Sequence, residues 1–345
     1  HIQSVEDPVQ VPRVTVRPAG DQLRPYIDEI VSLVTPGQAD LLRVNSERAN
    51  LRIIYTALHG VGGRAMSNAF QIAGFPLAQP VREQQHPDPT FPTVPFPNPE
   101  EPSAIELLLA RAAEEDADIL FALDPDADRC AVGIRTPDGG HRMLTGDETG
   151  TLLATRIVPE WDGQGAAPVV ATTVVSSQLL RVIAEDKGWD YQETLTGFKH
   201  LSRAADGRPG PLAFAYEEAV GTCPAPDIVP DKDGIATALF TAAWAAELKS
   251  AGISLQDRLD ELYRRHGYFA STQVAVRTTS PRELVDAWCT TPPTELIGVA
   301  LSSSALPENQ GVVLRGYLGG TQLRVIVRVS GTEAKAKIYI EIAQA

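Results

Sequence analysis

Apolar and polar positions along this chain alternate in blocks that predict strands and helices in turn. Short apolar runs typical of buried strands recur at 52–58, 119–123, 169–175 and 212–216. Amphipathic stretches such as 64–74 and 178–187 lie between them and are typical of helices. Because strands that alternate with helices build mostly parallel sheets covered by helices, we predict an α/β fold for these regions.

Two serines mark predicted helix starts. Ser103 and Glu106 have the spacing of a capping box, in which side chains satisfy the free backbone N–H groups, and this predicts a helix that starts at Ser103. Ser254 and Gly267 enclose an amphipathic stretch, which predicts a helix with a serine start and a glycine stop.

Residues 268–345 follow a different pattern. Apolar residues alternate with polar and aromatic ones from Lys335 to Ile342. A period of two predicts a strand with one buried face, here the face that carries Ile338, Ile340 and Ile342. Strand-like runs on both sides of Gly319 and Gly320 complete what we predict to be a small α+β domain with an antiparallel sheet.

The length of 345 residues predicts more than one domain. We predict an entry segment at 1–45, an α/β domain at 46–146, a second α/β domain at 147–267 and the C-terminal α+β domain at 268–345. The two α/β stretches share one order of elements, as a structural duplication would produce, although no sequence repeat is visible.

The composition and net charge of the chain limit the classes of partner that it can bind. Lysine and arginine number 30 against 44 acidic residues, and a chain with the resulting net charge of −14 repels nucleic acid and anionic membranes. No apolar run reaches the roughly 18 residues of a membrane span, and the first residues do not resemble a signal peptide. Three widely spaced cysteines indicate free thiols, so we expect a cytoplasmic protein.

Three aspartates directly after the apolar run at 119–123 form the sharpest candidate site. Asp124, Asp126 and Asp128 leave the end of a predicted parallel strand, which is where α/β proteins bind ligands. Carboxylate oxygens are the ligands that Mg²⁺ prefers, so the motif predicts a magnesium site. A solvated acidic turn is the alternative. A calcium loop of the EF-hand type is excluded, because it needs glycine where this chain has Arg129.

A second candidate lies between two predicted strands of the C-terminal domain. Arg328 offers planar donors to a phosphate group, and Ser330 and Thr332 offer hydroxyls. Gly331 lets neighbouring backbone N–H groups converge on an anion. The residues together predict a phosphate site, and a hairpin turn with an incidental arginine is an equal alternative.

Two weaker candidates lie in predicted loops. Glu217 and Glu218 follow an apolar strand and offer carboxylates to sugar hydroxyls. Lys199 and His200 offer groups for proton transfer or for holding a phosphate. For each pair alone, a solvated surface loop is the stronger interpretation.

A glycine-rich turn at 59–63, HGVGG, stands between a predicted strand and a predicted helix. It matches neither of the glycine patterns that bind nucleotide phosphates, so nucleotide binding is not expected. We interpret its glycines as positions of close packing.

Taken together and in this order, the motifs resemble those of the α-D-phosphohexomutases, the family of phosphoglucomutases and phosphomannomutases. The similar loops are DPDADR at 124–129 (metal loop), TGFKH at 196–200 (lysine loop), EEAVG at 217–221 (sugar loop) and RVSGTEAK at 328–335 (phosphate loop). With Pro125 and Ala219, two of these loops resemble those of the family branch that contains phosphopentomutase-like and glucose-1,6-bisphosphate synthase-like members. The resemblance extends from residue 25 to the end of the chain.

The resemblance implies successive α/β domains, a C-terminal sheet and a mutase that interconverts the 1-phosphate and 6-phosphate of glucose or mannose. In that family the reaction passes through a phosphoserine and a bisphosphate intermediate. The resemblance implies Mg²⁺ on Asp124, Asp126 and Asp128, with Arg129 against the transferring phosphate. The remaining implied roles are sugar binding (Glu217, Glu218), grip on the second phosphate (Arg328, Ser330, Gly331, Thr332) and proton transfer (Lys199 or His200).

The serine motif that carries the family's phosphoryl group has no match in this chain. We therefore expect an N-terminal phosphoserine domain to be missing, and we expect these 345 residues alone to be inactive as a mutase. A phosphorylated sugar is the expected partner. Two alternatives stay open: a non-catalytic phosphosugar-binding module, and a Mg²⁺-dependent phosphatase with an aspartyl nucleophile, for which the chain shows no convincing second set of residues.

Overall fold

Within the part of the chain that the structure describes, the strands form three sheets. The structure, a computed structural model, describes residues 20–307, 310–330 and 334–344. Two α/β units with parallel strands at their centres precede an antiparallel C-terminal sheet, so the predicted fold class is confirmed.

The first unit comprises α1 (Gly20–Val34), α2 (Leu41–Ala49), β1 (Ile53–Thr56), α3 (Gly62–Ile72), β2 (Ala78–Pro80), α4 (Glu106–Glu114), β3 (Ile119–Leu123), β4 (Cys130–Arg135) and β5 (His141–Met143). Its sheet has the order β2-β1-β3-β4-β5. Strand β1 pairs in parallel with β2 and β3, whereas β4 and β5 are antiparallel. Strand β3 coincides with the predicted apolar run, and all of its residues are buried.

Helix α4 starts later than predicted. Pro102–Ala104 form a short 3-10 turn, and α4 begins at Glu106 with Ile105 as its N-cap, so the capping box predicted at Ser103 is wrong. Pro102 fixes its own φ and favours this preceding turn, which places Ser103 one turn before the helix. No side-chain hydrogen bond caps the described start of α4.

The second unit comprises α5 (Gly146–Ile157), β6 (Val169–Thr173), α6 (Leu179–Lys187), β7 (Asp190–Thr194), α7 (Phe198–Leu201), β8 (Leu212–Glu217), β9 (Gly221–Cys223), α8 (Gly234–Ser250) and α9 (Leu255–His266). Its sheet has the order β7-β6-β8-β9, with the first three strands parallel and β9 antiparallel. The predicted start of α9 is confirmed, because Ser254 and Asp257 form a reciprocal capping box.

The two α/β sheets share one layout. In each, the first strand along the chain is central, the second and third flank it in parallel, and the fourth runs antiparallel beside the third. The loops β3–β4 and β8–β9 therefore occupy equivalent corners of the two units. This agreement supports a structural duplication that the sequence does not display.

Helix α8 packs against the first sheet although it follows the second. Ile235, Leu239 and Leu248 belong to the same buried cluster as Ile27 and Phe121. Phe240, which is half-buried, contacts both this cluster and that of the second unit. A helix that is apolar nearly all round is covered on several sides, and α8 is such a helix.

The C-terminal unit comprises β10 (Tyr268–Arg277), α10 (Pro281–Thr290), β11 (Glu295–Leu296), β12 (Val299–Ala305), β13 (Gly311–Leu318), β14 (Thr321–Val329) and β15 (Lys335–Gln344). The strand order is β10-β15-β14-β13-β12-β11, and the neighbours are antiparallel. Helix α10 lies on one face of this sheet, with Val285 fully buried in the cluster.

The prediction that β15 buries only its isoleucine face is wrong. Tyr339 and Glu341 are 5% and 6% exposed, whereas Ile342 is 45% exposed. The second unit covers the polar face at Glu341, which accepts a hydrogen bond from the backbone N–H of Gln178 at 2.9 Å. Arg324, opposite Glu341 on β14, forms an ion pair with it at 3.5 Å, so the partners that a buried charge needs come from another unit and from the neighbouring strand.

Asp147 is buried where the three units meet. Its carboxylate accepts hydrogen bonds from the Ser177 N–H at 2.7 Å, the Tyr216 hydroxyl at 3.1 Å and the Ser271 hydroxyl at 2.9 Å. Burial, together with the nearby Glu218 and Glu341 carboxylates, nevertheless raises the pKa of Asp147 from 3.8 to about 7.

The raised pKa of Asp147 makes stability depend on pH. The folded state binds this proton more tightly than the unfolded state, so stability from this group is present below about pH 4 and is lost as pH rises to about 7. We expect Asp147→Asn to remove about 3 kcal/mol of the pH dependence between pH 5 and pH 8. Urea unfolding of both proteins at pH 5 and pH 8 measures it, with the exposed Asp138→Asn as control. A difference between wild type and Asp147→Asn that is equal at both pH values would contradict the assignment.

None of the helices in the described residues combines the length and hydropathy that a bilayer crossing requires. Cys130 and Cys223 are buried, Cys289 is exposed, and the thiols are free, as predicted.

Candidate functional site

The loop between β3 and β4 brings the three predicted metal ligands together. One carboxylate oxygen from each of Asp124, Asp126 and Asp128 lies within 4.8 Å of the others. Asp124 is buried and Asp126 is exposed, so the cluster opens from the end of a parallel strand towards solvent. An all-oxygen set of this kind fits a hard divalent cation such as Mg²⁺.

The HGVGG turn holds this loop in place. A Cβ atom on Gly60 would lie 2.3 Å from the Pro125 carbonyl oxygen, and one on Gly62 would lie 2.7 Å from the Ala127 side chain. The Val61 N–H donates to the Pro125 carbonyl at 2.8 Å. The glycines therefore permit close packing, as predicted, and what they pack against is the aspartate loop.

Arg129 turns back onto the loop that precedes it. Its backbone N–H and its Nε both donate to the Asp124 carboxylate, at 3.0 and 2.6 Å. Burial raises the pKa of Asp124 to about 6, because desolvation outweighs the attraction of Arg129. Arg129 also lies 3.7 Å from Glu100, at the end of the proline-rich loop.

Lys232 links the aspartate loop to the second unit, and the sequence analysis missed it. Its Nζ lies 2.9 Å from Asp128 and 5.2 Å from the centre of the Phe198 ring. A Cβ atom on the following Gly234 would lie 2.6 Å from the Arg129 carbonyl oxygen, so the start of α8 presses directly on the loop. The signal was the charged run 231–233 directly before an apolar helix.

The sugar loop and the lysine loop meet through Glu217. Its Oε1 accepts a hydrogen bond from the Gly197 N–H at 2.7 Å. Burial raises the pKa of Glu217 above its usual value, although the positive charge of the nearby Lys232 opposes this rise. Lys199 is exposed and His200 is half-buried; within the described residues neither forms an ion pair with the aspartates. The structure thus brings Glu217 within the electrostatic reach of Asp128 and Lys232.

Glu218 points away from Glu217, towards the C-terminal sheet. Its carboxylate accepts a hydrogen bond from the Thr173 hydroxyl at 3.1 Å and lies beside Tyr339 and Lys337. Glu217 is the last residue of β8 and Glu218 is the first residue of the turn that follows, so the chain changes direction between them. The two glutamates predicted as a pair therefore face different surroundings.

The predicted phosphate loop is described in part. The Arg328 guanidinium donates to the Tyr339 hydroxyl at 3.3 Å and lies 5.7 Å from the ring centre, and its Nε is buried without a hydrogen-bond partner. The Ser330 N–H donates to the Lys335 carbonyl at 2.9 Å. Gly331 and Thr332 lie outside the described residues.

A series of charged side chains connects the two predicted loops. Arg129 lies beside Glu100. Lys337 lies within the electrostatic reach of both Glu100 and Arg328. Burial raises the pKa of Glu100 and lowers that of Lys337, as expected for charges partly removed from water. A series of neighbouring charged side chains therefore runs from the aspartate loop to Arg328. Glu100 and Lys337 were missed because single charges in a loop and on a strand carry no pattern.

Comparisons with known families match most of the chain. Residues 24–139 match the family model described as "Phosphoglucomutase/phosphomannomutase, alpha/beta/alpha domain II". Residues 145–266 match the model described as alpha/beta/alpha domain III of the same family.

Curated relatives carry the names of sugar-phosphate mutases. A protein of Haemophilus influenzae named "Probable phosphomannomutase" is 35% identical, and the match covers 99% of this chain and 69% of the relative. Mouse phosphopentomutase is 36% identical over 67% of this chain and 38% of its own length. Human glucose 1,6-bisphosphate synthase is 34% identical over 74% of this chain and 41% of its own length. The chain thus spans less than half the length of these last two relatives.

Solved structures share the fold. A phosphoglucomutase/phosphomannomutase family protein of Burkholderia thailandensis superposes with a TM-score of 0.68 at 18% identity, over 94% of this chain and 60% of that one. An N-acetylphosphoglucosamine mutase of Aspergillus fumigatus, in complex with GlcNAc-6P and magnesium, superposes with a TM-score of 0.55 at 16% identity, over 88% of this chain and 65% of that one. At these identities the likeness concerns the fold alone.

Proposed function

The chain belongs to the phosphoglucomutase/phosphomannomutase family, and we propose that it serves in the interconversion of sugar 1-phosphates and 6-phosphates. The relatives named above are mutases, and mutases are isomerases. The proposed substrates are glucose or mannose phosphates, and the proposed intermediate is the bisphosphate. One observation carries the proposal: a series of neighbouring charged side chains, with Glu100 and Lys337 between Arg129 and Arg328, links the aspartate loop to the C-terminal sheet. A bisphosphate needs two anion sites at once.

We assign the metal of this site as Mg²⁺, held by Asp124, Asp126 and Asp128. The close approach of their oxygens supports the assignment, and so does the magnesium in the complex of the Aspergillus relative. When bound, the ion would neutralise negative charge on a phosphate oxygen. The free cysteines support a reducing location, and we place the protein in the cytoplasm.

The proposed roles of the other residues follow from charge and position. Glu217 accepts hydrogen bonds from sugar hydroxyls, and its bond from the Gly197 N–H sets the orientation of its carboxylate. Arg129 and Lys232 supply positive charge on either side of the aspartates. Phosphoryl transfer depends mainly on such positioning and charge neutralisation.

The second phosphate is proposed to lie at the C-terminal sheet. Arg328 and Ser330 grip it, with Gly331 and Thr332 assigned to the same loop by the family motif. Glu218 acts indirectly, beside Tyr339 and Lys337, and Lys199 or His200 assists proton transfer, as the family motif implies.

The experiment that tests the function is calorimetric titration with glucose 1,6-bisphosphate and with glucose 1-phosphate, each with and without Mg²⁺. We expect the bisphosphate to bind more tightly than the monophosphate, and unphosphorylated glucose not to bind. Equal affinity for glucose and its phosphates would refute the proposal. Steady release of phosphate from a generic phosphomonoester would instead favour the phosphatase.

Mutase turnover by these 345 residues is expected to be negligible. The reason is that the chain has no match to the family's serine motif, so it offers no identified phosphoryl carrier. Phosphorus NMR of glucose 1-phosphate with Mg²⁺ and a trace of bisphosphate measures conversion to the 6-phosphate. Robust conversion would show that another group of this chain carries the phosphoryl group.

Removal of the Lys232 ammonium is expected to strengthen metal binding. Lys232 competes for Asp128 at 2.9 Å, so Lys232→Met should raise Mg²⁺ affinity about fivefold, or ~1 kcal/mol. Calorimetric titration with Mg²⁺ measures the change. Lys249→Met is the matched control, because its ammonium pairs with Asp118 at 2.6 Å, outside the aspartate loop. Weaker binding in Lys232→Met would mean that Lys232 supports the loop more than it competes.

A further inference from the structure

One face of the C-terminal sheet carries both a buried ion pair and the arginine of the proposed phosphate site. Arg324 and Arg328 are four residues apart on β14, so their side chains leave the same face of the strand. Their neighbours on β15 are Glu341 and Lys337. Arg324 and Glu341 are 4% and 6% exposed, whereas Arg328 and Lys337 are half-buried. At the rise of a strand, the buried pair lies about 13 Å from Arg328 along β14.

The buried pair contacts a single turn of the second unit, residues 174–178, which we call the docking turn. Arg324 donates hydrogen bonds to two carbonyl oxygens of this turn, one of them that of Ser176 at 2.9 Å. Glu341 accepts a hydrogen bond from the N–H of Gln178, the N-cap of α6, at 2.9 Å. A carboxylate is favourable at a helix N-terminus. Both charges of the pair are therefore used to hold the sheet on the turn.

The docking turn also makes an apolar contact with the sheet. Val175 is 6% exposed and belongs to one buried cluster with residues of the C-terminal unit, namely Leu306, Val313, Ile326 and Tyr339. Apolar contacts have no direction and tolerate small shifts of one surface over the other. Hydrogen bonds require defined distances and angles. The polar contacts of the buried pair therefore select one position among those that the apolar contact allows.

The covalent connection does not set this position. Helix α9 ends at His266 and β10 begins at Tyr268, with Gly267 between them. Its φ of 92° lies in a region that glycine adopts at little cost. The orientation of the C-terminal sheet therefore depends on noncovalent contacts, among them the hydrogen bond from Ser271 to Asp147 and those of the buried pair.

We propose that Arg324 and Glu341 are positioning residues, which set where the second phosphate site stands relative to the aspartate loop. Two buried charges are costly unless each finds its partners, so the pair favours one docked arrangement over all others. A tilt of the sheet by about 5° around Arg324 would move Arg328 by about 1 Å, which is enough to impair a ligand held at both ends. The inference rests on the proposed function, because it requires that Arg328 holds a phosphate.

The test compares ligands that use one site with a ligand that spans both. Mg²⁺ uses the aspartate loop, inorganic phosphate without Mg²⁺ uses the Arg328 loop, and glucose 1,6-bisphosphate spans the two. In Arg324→Met we expect calorimetry to show bisphosphate affinity lowered at least about tenfold, with the affinities for Mg²⁺ and inorganic phosphate within about twofold of wild type. A general loss of structure would lower all three affinities together.

Arg315→Met is the matched control. Arg315 lies opposite Arg324 on β13, and its guanidinium donates to the Ser304 hydroxyl of its own sheet at 3.3 Å. The substitution removes the same charge from the same sheet and leaves the contacts with the docking turn in place, so we expect wild-type affinity for the bisphosphate. Arg324→Lys keeps the charge and some donors, and should recover part of the affinity that Arg324→Met loses.

A milder variant and a structural measurement cover the case in which Arg324→Met does not fold, which circular dichroism checks. Val175→Ala loosens the docking turn without leaving a buried charge unpaired, and should lower bisphosphate affinity about threefold. Pulsed spin resonance between labels on the exposed native Cys289 and on Asp138→Cys measures the spacing of the C-terminal and first units. We expect a broader distance distribution in Arg324→Met, or in Val175→Ala, than in the protein that carries the labels alone.

Four results would overturn the inference alone. The first is wild-type bisphosphate affinity in folded Arg324→Met, or in Val175→Ala if Arg324→Met does not fold. The second is an equal loss of affinity for all three ligands, and the third is an equal loss in Arg315→Met. The fourth is an unchanged distance distribution. If the wild-type chain did not bind the bisphosphate at all, the proposed function would fail and the inference with it.

Discussion

Replacing Asp126 by asparagine is expected to weaken Mg²⁺ binding by on the order of 100-fold. Within the described residues Asp126 forms no ion pair, whereas Asp124 pairs with Arg129 and Asp128 with Lys232. The carboxylate of Asp126 is thus the one whose charge is least compensated by the protein. Its exposure means that the substitution should leave the fold intact. Calorimetry with Mg²⁺ and spin resonance with Mn²⁺ measure the loss.

The control for this prediction is Asp138→Asn. Asp138 is an exposed aspartate in the turn between β4 and β5, so its replacement changes the net charge equally without touching the loop. We expect its Mg²⁺ affinity to match wild type. If both variants lost affinity equally, or if Asp126→Asn lost none, a divalent site at the three aspartates would be ruled out.

Replacing Arg328 by alanine is expected to lower the affinity for glucose 1,6-bisphosphate by on the order of 100-fold. The guanidinium is half-buried and its Nε has no partner, so a phosphate would complete its hydrogen bonds rather than replace existing ones. Charge-assisted bonds of this type are the strong ones, and lysine offers only a point charge. Arg328→Lys should therefore recover part of the loss. Calorimetric titration of each variant measures it.

Two comparisons make the Arg328 prediction specific. Arg282→Ala on α10 removes the same charge from an exposed helix position and should bind the bisphosphate as wild type does. Binding of Mg²⁺ alone should be unchanged in Arg328→Ala, because the described contacts of the Arg328 guanidinium are with Val329 and Tyr339 and not with the aspartates. Unaltered bisphosphate affinity in Arg328→Ala would remove the second phosphate from the C-terminal sheet.

Local patterns predicted those parts of the fold that local forces determine. The run at 119–123 is apolar throughout because β3 is covered on both faces, and it appears as a strand with the predicted bounds. The burial of the β15 face that carries Tyr339 and Glu341 could not be predicted from the local pattern. It depends on contacts of Glu341 with Gln178, which packing between units provides, and with Arg324.

For the candidate site too, contacts between residues close in sequence could be predicted, and contacts between distant residues could not. The three aspartates are neighbours in sequence, so their clustering followed from a single strand end. Lys232 lies more than one hundred residues beyond Asp128, and nothing local announces their contact at 2.9 Å. The different surroundings of Glu217 and Glu218 likewise depend on residues of other elements, Gly197 for the first and Tyr339 for the second. The domain boundaries and the roles of the individual site residues remain predictions.

The position of α8 has a consequence for how the chain folds on the ribosome. The last strand of the first sheet ends at Met143, yet the helix that seals its core is synthesised only from Gly234 onwards. Until then Phe121 and Ile27 lack part of their covering, so the first sheet cannot close as an autonomous nascent domain. The two α/β halves are therefore expected to reach their native state together, after translation has passed Ser250.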